Sequence, residues 1–265
     1  MSKVLVTGGT GTLGRHLVPR LAEECSLRVL TRRPRDDKGT IRYVRGDLTS
    51  GDGLMEATHS VDAIVHCASS PQRSTWKTDV EGTQRLIEAA RHSNSSPHIV
   101  YISIVGVDKH PLKYYRAKRS AEEAIERSGL PWTVLRTTQW FELLHYALDR
   151  STRLGMTFLP KDFYFQPMAA SEAAARLARA TLAKPAGLLP DIGGPAVRSV
   201  DDLARVWTHA KRIDPKFVHY PFPGRAGRAF REGLHLARDR AVGRMTWESW
   251  LDKNVVHPAA GGRSA

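Results

Sequence analysis

Three groups of residues combine types and spacings that could do chemistry. The first is Thr7-Gly8-Gly9-Thr10-Gly11-Thr12-Leu13-Gly14, a G-x-x-G-x-x-G loop after an apolar run. Glycine at Gly8 and Gly11 allows a tight turn and a close approach of backbone to a ligand. The amides of Thr10, Gly11, Thr12 and Leu13 would then face an anion at a helix N-terminus. Gly14 would let that helix pack close to a sheet. In a strand–turn–helix context this pattern is the fingerprint of pyrophosphate, and so dinucleotide, binding. The second group is Arg32-Arg33, close to the usual ~20 residues beyond the loop. An acid there would hold the ribose 2′-hydroxyl of NAD, whereas guanidinium forks suit a 2′-phosphate. NADP(H) is the expected cofactor, with plain surface charge as the other reading of the two arginines. The third group is Tyr114 and Lys118, four residues apart and on one helix face if helical. An ammonium beside a phenol favours the phenolate and lowers its pKa from ~10. That tyrosine could protonate a carbonyl as a hydride arrives. Tyr115 lies on a nearby face and is an open alternative.

These residues need a scaffold, and the chain offers one. Apolar strand-like runs fall at residues 3–7, 27–30, 41–44, 62–67, 98–103 and 131–136. Helical spacing falls between them at 12–23, 78–91 and 114–127. Short buried strands alternating with helices predict βαβ units. The expected fold is α/β, a Rossmann-type doubly wound parallel sheet with a small C-terminal substrate lobe. The ligand is expected at the carboxyl ends of the strands. Residues 1–136 are expected to form the NADP-binding domain. Residues 137–265 are expected to form mainly the lobe, packed as one unit with the first.

The second half is less regular. Helices are expected at 139–153, 171–182 with Ser171 as N-cap, 200–213 and 225–238. Residues 155–168 read as an aromatic loop, 191–195 as a turn and 259–265 as frayed. Gln139, Trp140 and Phe141, with Phe163, Tyr164 and Phe165, are candidates to line an apolar pocket for a flat, quinone-like or polyketide substrate. Core packing is the competing reading.

Composition sets outer bounds. A chain of 265 residues, 41% hydrophobic and 25% charged, is ordinary globular material. Its two cysteines are too few for a disulfide framework, and no apolar run nears the ~20 residues that span a bilayer. The sequence therefore predicts a soluble cytoplasmic protein without membrane contact. His66, His110 and His145 lack metal-ligand spacing, so no metal is expected. The net charge of +13 is spread along the chain, thickening between Arg205 and Arg244. It would steer anionic cofactors inward.

Beyond these readings, the residues resemble the short-chain dehydrogenase/reductase superfamily, and more closely its atypical NmrA-like branch of NAD(P)-binding proteins. The resemblance covers nearly the whole chain. It rests on the glycine loop, Gly46-Asp47-Leu48, His66-Cys67-Ala68-Ser69, Asp79-Val80-Glu81-Gly82-Thr83 and Tyr114-Tyr115-Arg116-Ala117-Lys118. Arg136-Thr137-Thr138-Gln139-Trp140 and the terminal Thr246-Trp247-Glu248-Ser249-Trp250-Leu251 extend it. The resemblance implies that Asp47, with Leu48, lies near the adenine. It implies that Cys67, Ala68 and Ser69 lie beside the cofactor ribose, and that Lys118 also holds the nicotinamide ribose. It implies a catalytic serine after the fifth strand, where Ser103 stands. Relatives often carry a second serine at the place Ile104 occupies here. Ser103 is either that catalytic group or a strand-end residue satisfying backbone.

The leading functional expectation is an NADPH-dependent oxidoreductase acting on a carbonyl or quinone-like small molecule. Tyr114 would serve as acid, Lys118 would tune it, and Ser103 would polarise the acceptor. The alternative is a non-catalytic NADP(H) redox sensor regulating a partner, which the tyrosine argues against. Nucleic-acid binding through Arg225, Arg228, Arg231 and Arg238 on one helix side is a weaker expectation. Nothing in the second half marks a nucleotide-sugar site.

Overall fold

The structure is a computed structural model and describes residues 1–71, 74–93 and 95–257. In chain order the first elements are β1 (Lys3–Thr7), α1 (Gly14–Ala22), β2 (Ser26–Thr31), β3 (Ile41–Arg45), α2 (Leu54–Thr58) and β4 (Ala63–His66). A π-helical segment, Trp76–Glu81, runs directly into α3 (Gly82–Arg91). Then come β5 (His98–Ile104), α4 (Lys113–Glu126), β6 (Trp132–Thr137), α5 (Phe141–Ser151), β7 (Thr152–Arg153), β8 (Met156–Pro160) and β9 (Tyr164–Phe165). The chain continues through α6 (Ala170–Leu182), β10 (Gly187–Leu188), β11 (Arg198–Ser199), α7 (Val200–Lys211), β12 (Lys216–Tyr220), α8 (Gly224–Arg231) and α9 (Trp247–Leu251). The expected frayed stretch at 259–265 lies outside the described residues. No helix among the described residues is long and apolar enough to cross a membrane.

Two compact units result. The first comprises Met1–Asp108, Leu112–Thr137 and Ser171–Pro190. The second comprises Lys109–Pro111, Thr138–Ala170 and the described residues from Asp191 onward. Residues Ser171–Pro190, expected in the C-terminal lobe, belong to the first unit. Their β10 covers the edge of β6 in parallel, and Ala186 N donates to Thr133 Oγ1 at 2.9 Å. A covered edge is one that cannot pair with another chain.

The first unit is built on a seven-stranded sheet in the order β10-β6-β5-β4-β1-β2-β3, with every pairing parallel. This is the expected doubly wound α/β Rossmann fold. The chain winds outward from β1 through β2 to β3, then returns to the other side of β1 as β4. The carboxyl ends of β1 and β4 therefore flank the crevice where open α/β sheets take ligands. All four residues of β4 are buried, as a strand covered on both faces requires. Leu17 and Leu21 seat α1, Leu86 and Ala90 seat α3, and Ala117, Ala121 and Ile125 seat α4. Sequence periodicity places these elements within two or three residues. The exception is the expected helix at 78–91, which begins as the π-helical Trp76–Glu81. Single π turns inside helices cluster at functional sites.

Two buried polar networks brace this sheet. In the first, Thr83 Oγ1 donates its one hydrogen to Asp79 O at 2.6 Å, so it accepts from His66 Nε2 at 2.9 Å. The Nδ1 of His66 then carries no hydrogen and accepts from Thr7 Oγ1 at 2.6 Å. Thr7 Oγ1 in turn accepts from Ala68 N at 3.3 Å. One directed chain thus ties the ends of β1 and β4 to the helix beyond. It requires a neutral imidazole, and burial, aided by the Lys118 charge, holds the His66 pKa down to about 3. In the second network Arg136 of β6 donates through Nε to Glu122 at 2.9 Å and through Nη1 to Asp108 at 2.6 Å. Glu122 is fully buried on α4 and also accepts from Arg119 at 3.1 Å. These pairs fix how α4 sits against β6.

The second unit has a core of Phe141, Leu144, Leu148, Leu203, Trp207, Trp247 and Trp250 with their neighbours. Here several sequence expectations change. Residues 155–168 are not simply a loop. Thr157 and Leu159 are buried while Met156, Phe158 and Pro160 are half-buried, and this two-residue alternation makes β8, paired in parallel with β12. Ser171 is no N-cap, because α6 already begins at Ala170. The helix expected at 225–238 stops at Arg231, and Gly233 follows in the left-handed region at φ +71°. Arg238 therefore begins a separate 3-10 turn, and the four-arginine stripe does not exist as one helix face.

Two outcomes follow for stability. Glu122→Ala leaves the buried Arg136 guanidinium without its main partner and should cost about 3–5 kcal/mol in urea unfolding. The imidazoles of His66, held near 3, and of His110 and His235, held near 4 by burial, must stay neutral in the folded state. Their folded values lie below the unfolded one. The stability they carry is therefore complete above about pH 6.5 and is lost as pH falls from there towards 3. His66 alone should account for roughly 2 kcal/mol at pH 5, and His66→Gln should flatten that part of the melting-temperature profile.

Candidate functional site

The glycine loop leaves β1 where β4 comes closest. Gly8 sits at φ +69°, and a Cβ there would fall 2.6 Å from Ala68 N and 2.7 Å from Cys67 C. A Cβ on Gly14 would fall 2.3 Å from Gly8 O. Gly11 N donates to Gly8 O at 3.0 Å and closes the turn. A Cβ on Gly11 would meet Gly8 O alone, at 3.3 Å. The loop is thus packed against β4 on one side and bare on the other. Thr10 and Gly11 are exposed, Thr12 is half-buried and the Leu13 side chain is buried. Leu13 can therefore offer a ligand only its backbone. Within α1, Arg15 N donates back to Gly11 O at 3.0 Å and Leu17 N to Leu13 O at 3.1 Å, so the amides that can face a ligand are those of the loop leading into the helix. A cradle of this shape fits a pyrophosphate.

Arg32 and Arg33 emerge exposed just past β2, and Asp47 stands just past β3. Burial raises the Asp47 carboxyl, but hydrogen bonds from Thr49 at 2.7 and 2.8 Å and the charges of Arg32 and Lys77 outweigh it. Asp47 is an anion whose neighbourhood is cationic, and Arg32 lies within its field. Leu48 turns its side chain into the core. Past β4, Cys67 and Ala68 are half-buried and Ser69 is exposed. Burial pushes the Cys67 thiol up to about 12 despite Lys118, which leaves it protonated at neutral pH.

The tyrosine, lysine and serine take places that sequence alone could not assign. The hydroxyl of Tyr114 lies 3.3 Å from Ser69 Oγ. Tyr115 is buried against it, edge to face at 6.3 Å. Tyr114, not Tyr115, thus presents its hydroxyl at the end of β4. The expected phenol–ammonium contact is replaced. Lys118 is fully inside, donating to Ile102 O at 2.7 Å, with its ammonium 4.1 Å from the Tyr101 ring centre. Burial lowers the Lys118 pKa, while Asp79, Glu122 and Cys67 oppose. The Tyr114 phenol is accordingly raised, not lowered. Burial pushes it up to about 12, Asp79 adds to this, and the Ser69 hydroxyl opposes. It is an acid that keeps its proton at neutral pH. Ser103 is buried on the same β5 face as Tyr101, and its Oγ has no hydrogen-bond partner among the described residues.

The candidate substrate residues Gln139, Trp140 and Phe163 belong to the second unit. Phe163 stacks on Phe230 at 4.8 Å within that core. Gln139 donates to His235 O at 3.3 Å, and Trp140 is half-buried beside α5. Among the described residues no group of three or more His, Cys, Asp or Glu could hold a metal ion. A residue that sequence left without a role is Asp79. It is buried, accepts from Ser69 Oγ at 2.6 Å and from Ser70 N at 3.0 Å. The available signal was its register. With Thr83 and Leu86 it falls on the apolar stripe of its helix, where a carboxylate needs a specific reason to be.

Comparison with known proteins shows which family the chain belongs to. The model of a family described as NAD(P)H-binding matches residues 8–142. A reductase of (4-alkanoyl-5-oxo-2,5-dihydrofuran-3-yl)methyl phosphate from Streptomyces griseus is 31% identical over 138 residues, 50% of this chain and 46% of that protein. Photosystem II assembly factor Ycf39 of Cyanophora paradoxa is 28% identical over 56% of this chain and 50% of that protein. The chain thus spans about half the length of the curated relatives it matches. In structure it is similar to an Escherichia coli NADPH-dependent quinone oxidoreductase, with a TM-score of 0.78 at 16% identity, over 94% of this chain and 98% of that one. With the family match covering half of its length, from the glycine loop to the start of α5, the chain belongs to the NAD(P)H-binding family.

Proposed function

We propose that this protein is an NADP(H)-dependent oxidoreductase acting on a carbonyl or quinone-like small molecule. The carrying observation is the Tyr114 hydroxyl, held protonated at the carboxyl end of β4 in the unit that bears the glycine cradle. A bound nicotinamide cofactor supplies the hydride. Gly8, Gly11 and Gly14 let backbone amides bind its pyrophosphate, with Thr10, Thr12 and Leu13 completing the loop. Arg32 and Arg33, at the end of β2, bind the 2′-phosphate, and Asp47 faces the adenosine end. Cys67, Ala68 and Ser69 line the ribose side through backbone and small side chains. Tyr114 protonates the substrate oxygen as negative charge develops there. Lys118 keeps a buried positive charge beneath the site. Ser103, with a free buried hydroxyl on the same face, is the candidate second donor to that oxygen. Gln139, Trp140 and Phe163 remain candidates for the substrate side, Phe163 through the core that shapes it. The named activities of the Streptomyces reductase and the Escherichia coli quinone oxidoreductase support this class of substrate.

Two measurements test the reading. NADPH oxidation against a panel of quinones, ketones and enones should find turnover that Tyr114→Phe lowers by about 10²–10⁴-fold. Unchanged turnover in that variant removes Tyr114 from the chemistry. No turnover with any acceptor, together with unequal NADP⁺ and NADPH affinities, would favour a sensor. Arg32→Ala should raise the NADPH Kd roughly tenfold and leave NADH binding unchanged. Equal effects on both cofactors would refute the 2′-phosphate role.

A further inference from the structure

Asp79 is a carboxylate that the proposed chemistry does not use, yet it is one hydroxyl away from the proposed acid. It is 1% exposed, and it sits on the π-helical segment rather than on a regular helical turn. Ser69 Oγ must be the donor in its 2.6 Å contact with Asp79, since an ionised carboxylate only accepts. Ser69 has one hydrogen. Its oxygen is therefore left as acceptor, and Tyr114 is the donor across the 3.3 Å contact. The two bonds differ in strength. At 2.6 Å Ser69 is held firmly, while at 3.3 Å the Tyr114 hydroxyl can leave for a substrate oxygen at little cost. Backbone Ser70 N fixes the second carboxylate oxygen at 3.0 Å, so Asp79 cannot turn away.

We propose that Asp79 is a positioning residue for Tyr114, binding the Ser69 hydrogen so that the directed chain Tyr114–Ser69–Asp79 keeps the phenol in its proton-bearing form and aimed along the end of β4. This rests on the reading of Tyr114 as the acid. A phenolate at Tyr114 would meet a buried negative charge, and Ser69, whose hydroxyl would otherwise oppose the rise, has its hydrogen committed to Asp79. Both disfavour the phenolate and so keep the hydrogen on Tyr114 until a more basic substrate oxygen is presented to it. Burial is the larger cause of the raised phenol, and Asp79 is the charge that adds to it. Lys118, on its own helix, acts in the opposite sense and is turned to Ile102 O. Tyr101 on β5 is a neutral phenol, pushed far up by burial. His66 at the end of β4 and Cys67 just past it are neutral at the same pH.

Asp79→Asn separates geometry from charge. Its Oδ1 can still accept from Ser70 N, while its Nδ2 donates to Ser69 Oγ. The Ser69 hydrogen is then released towards Tyr114, where it stabilises a phenolate. Tyrosine ionisation is followed by ultraviolet difference absorbance, with far-UV circular dichroism alongside. Subtraction of the matching Tyr114→Phe protein isolates Tyr114. The Asp79→Asn protein should ionise Tyr114 about one pH unit lower than the native chain. Ser69→Ala, a change at an exposed position, keeps the carboxylate and should leave ionisation at or above the native value. An unmoved titration in Asp79→Asn overturns the proposal, as does an equal drop in both variants. Should Asp79→Asn fail to fold, a drop in Ser69→Ala alone is the refuting result. The titration needs no substrate. If Tyr114→Phe retains turnover while Asp79→Asn still shifts the titration, the acid assignment fails and Asp79's control of Tyr114 stands. The reverse pattern would sink only the role of Asp79.

Discussion

Between the exits of β1 and β4 there is no room for a side chain at Gly8, where a Cβ would sit 2.6 Å from the backbone of Ala68. This close approach is the constraint on which the site depends. It lets the loop turn sharply into α1, brings the helix amides to the sheet edge, and sets Ser69 directly beyond the loop. Any larger residue would push the two strands apart at the one place where the winding of the sheet changes direction. The pairing of Thr7 with His66 in the β1–β4 register sets the same point from the strand side.

Polar groups then lock what the glycines allow. The chain from Ala68 through Thr7, His66 and Thr83 to Asp79 O runs in one direction because each hydroxyl has a single hydrogen to give. Such networks are costly unless every member is satisfied, and here satisfaction demands one tautomer of one neutral histidine. The Arg136–Glu122 pair does the same for α4. A bidentate buried ion pair leaves the helix little freedom to rotate, and the rotation of α4 decides where Tyr114 and Lys118 point. The result is a division of labour on one helix face. Lys118 is spent inward on a strand carbonyl and an aromatic ring, and Tyr114 is left at the surface of the crevice facing Ser69. On the proposed reading, Asp79 then acts on Tyr114 through Ser69, so the two networks meet at the phenol.

The first unit was legible from sequence because its signals are local. A parallel sheet covered on both faces needs continuous apolar strands, and those runs are visible in Val4-Leu5-Val6 and Ala63-Ile64-Val65. The glycine loop was legible because glycine alone meets its steric demand. The second unit was harder to read. Strand β8 pairs with β12, some sixty residues away, and its five residues alternate in burial without a clear apolar–polar alternation in type. Pairing over that separation leaves no local trace, and the segment reads as a loop. The basic helix was read too long because arginine spacing continues past Gly233, while the backbone does not.

The sequence by itself determined the doubly wound sheet, the dinucleotide cradle and the residue types available for chemistry, because periodicity and glycine sterics act over a few residues. It could not determine what those residues touch. Four-residue spacing put Tyr114 and Lys118 on one face and suggested a depressed phenol pKa. Tertiary structure sent the ammonium to Ile102 O and surrounded the phenol with burial and the Asp79 charge, which reverses the shift. A pKa is set by all the charges and the water within a few ångströms in space. Those neighbours come from β4, β5 and the π-helical segment, and only the fold brings them to Tyr114.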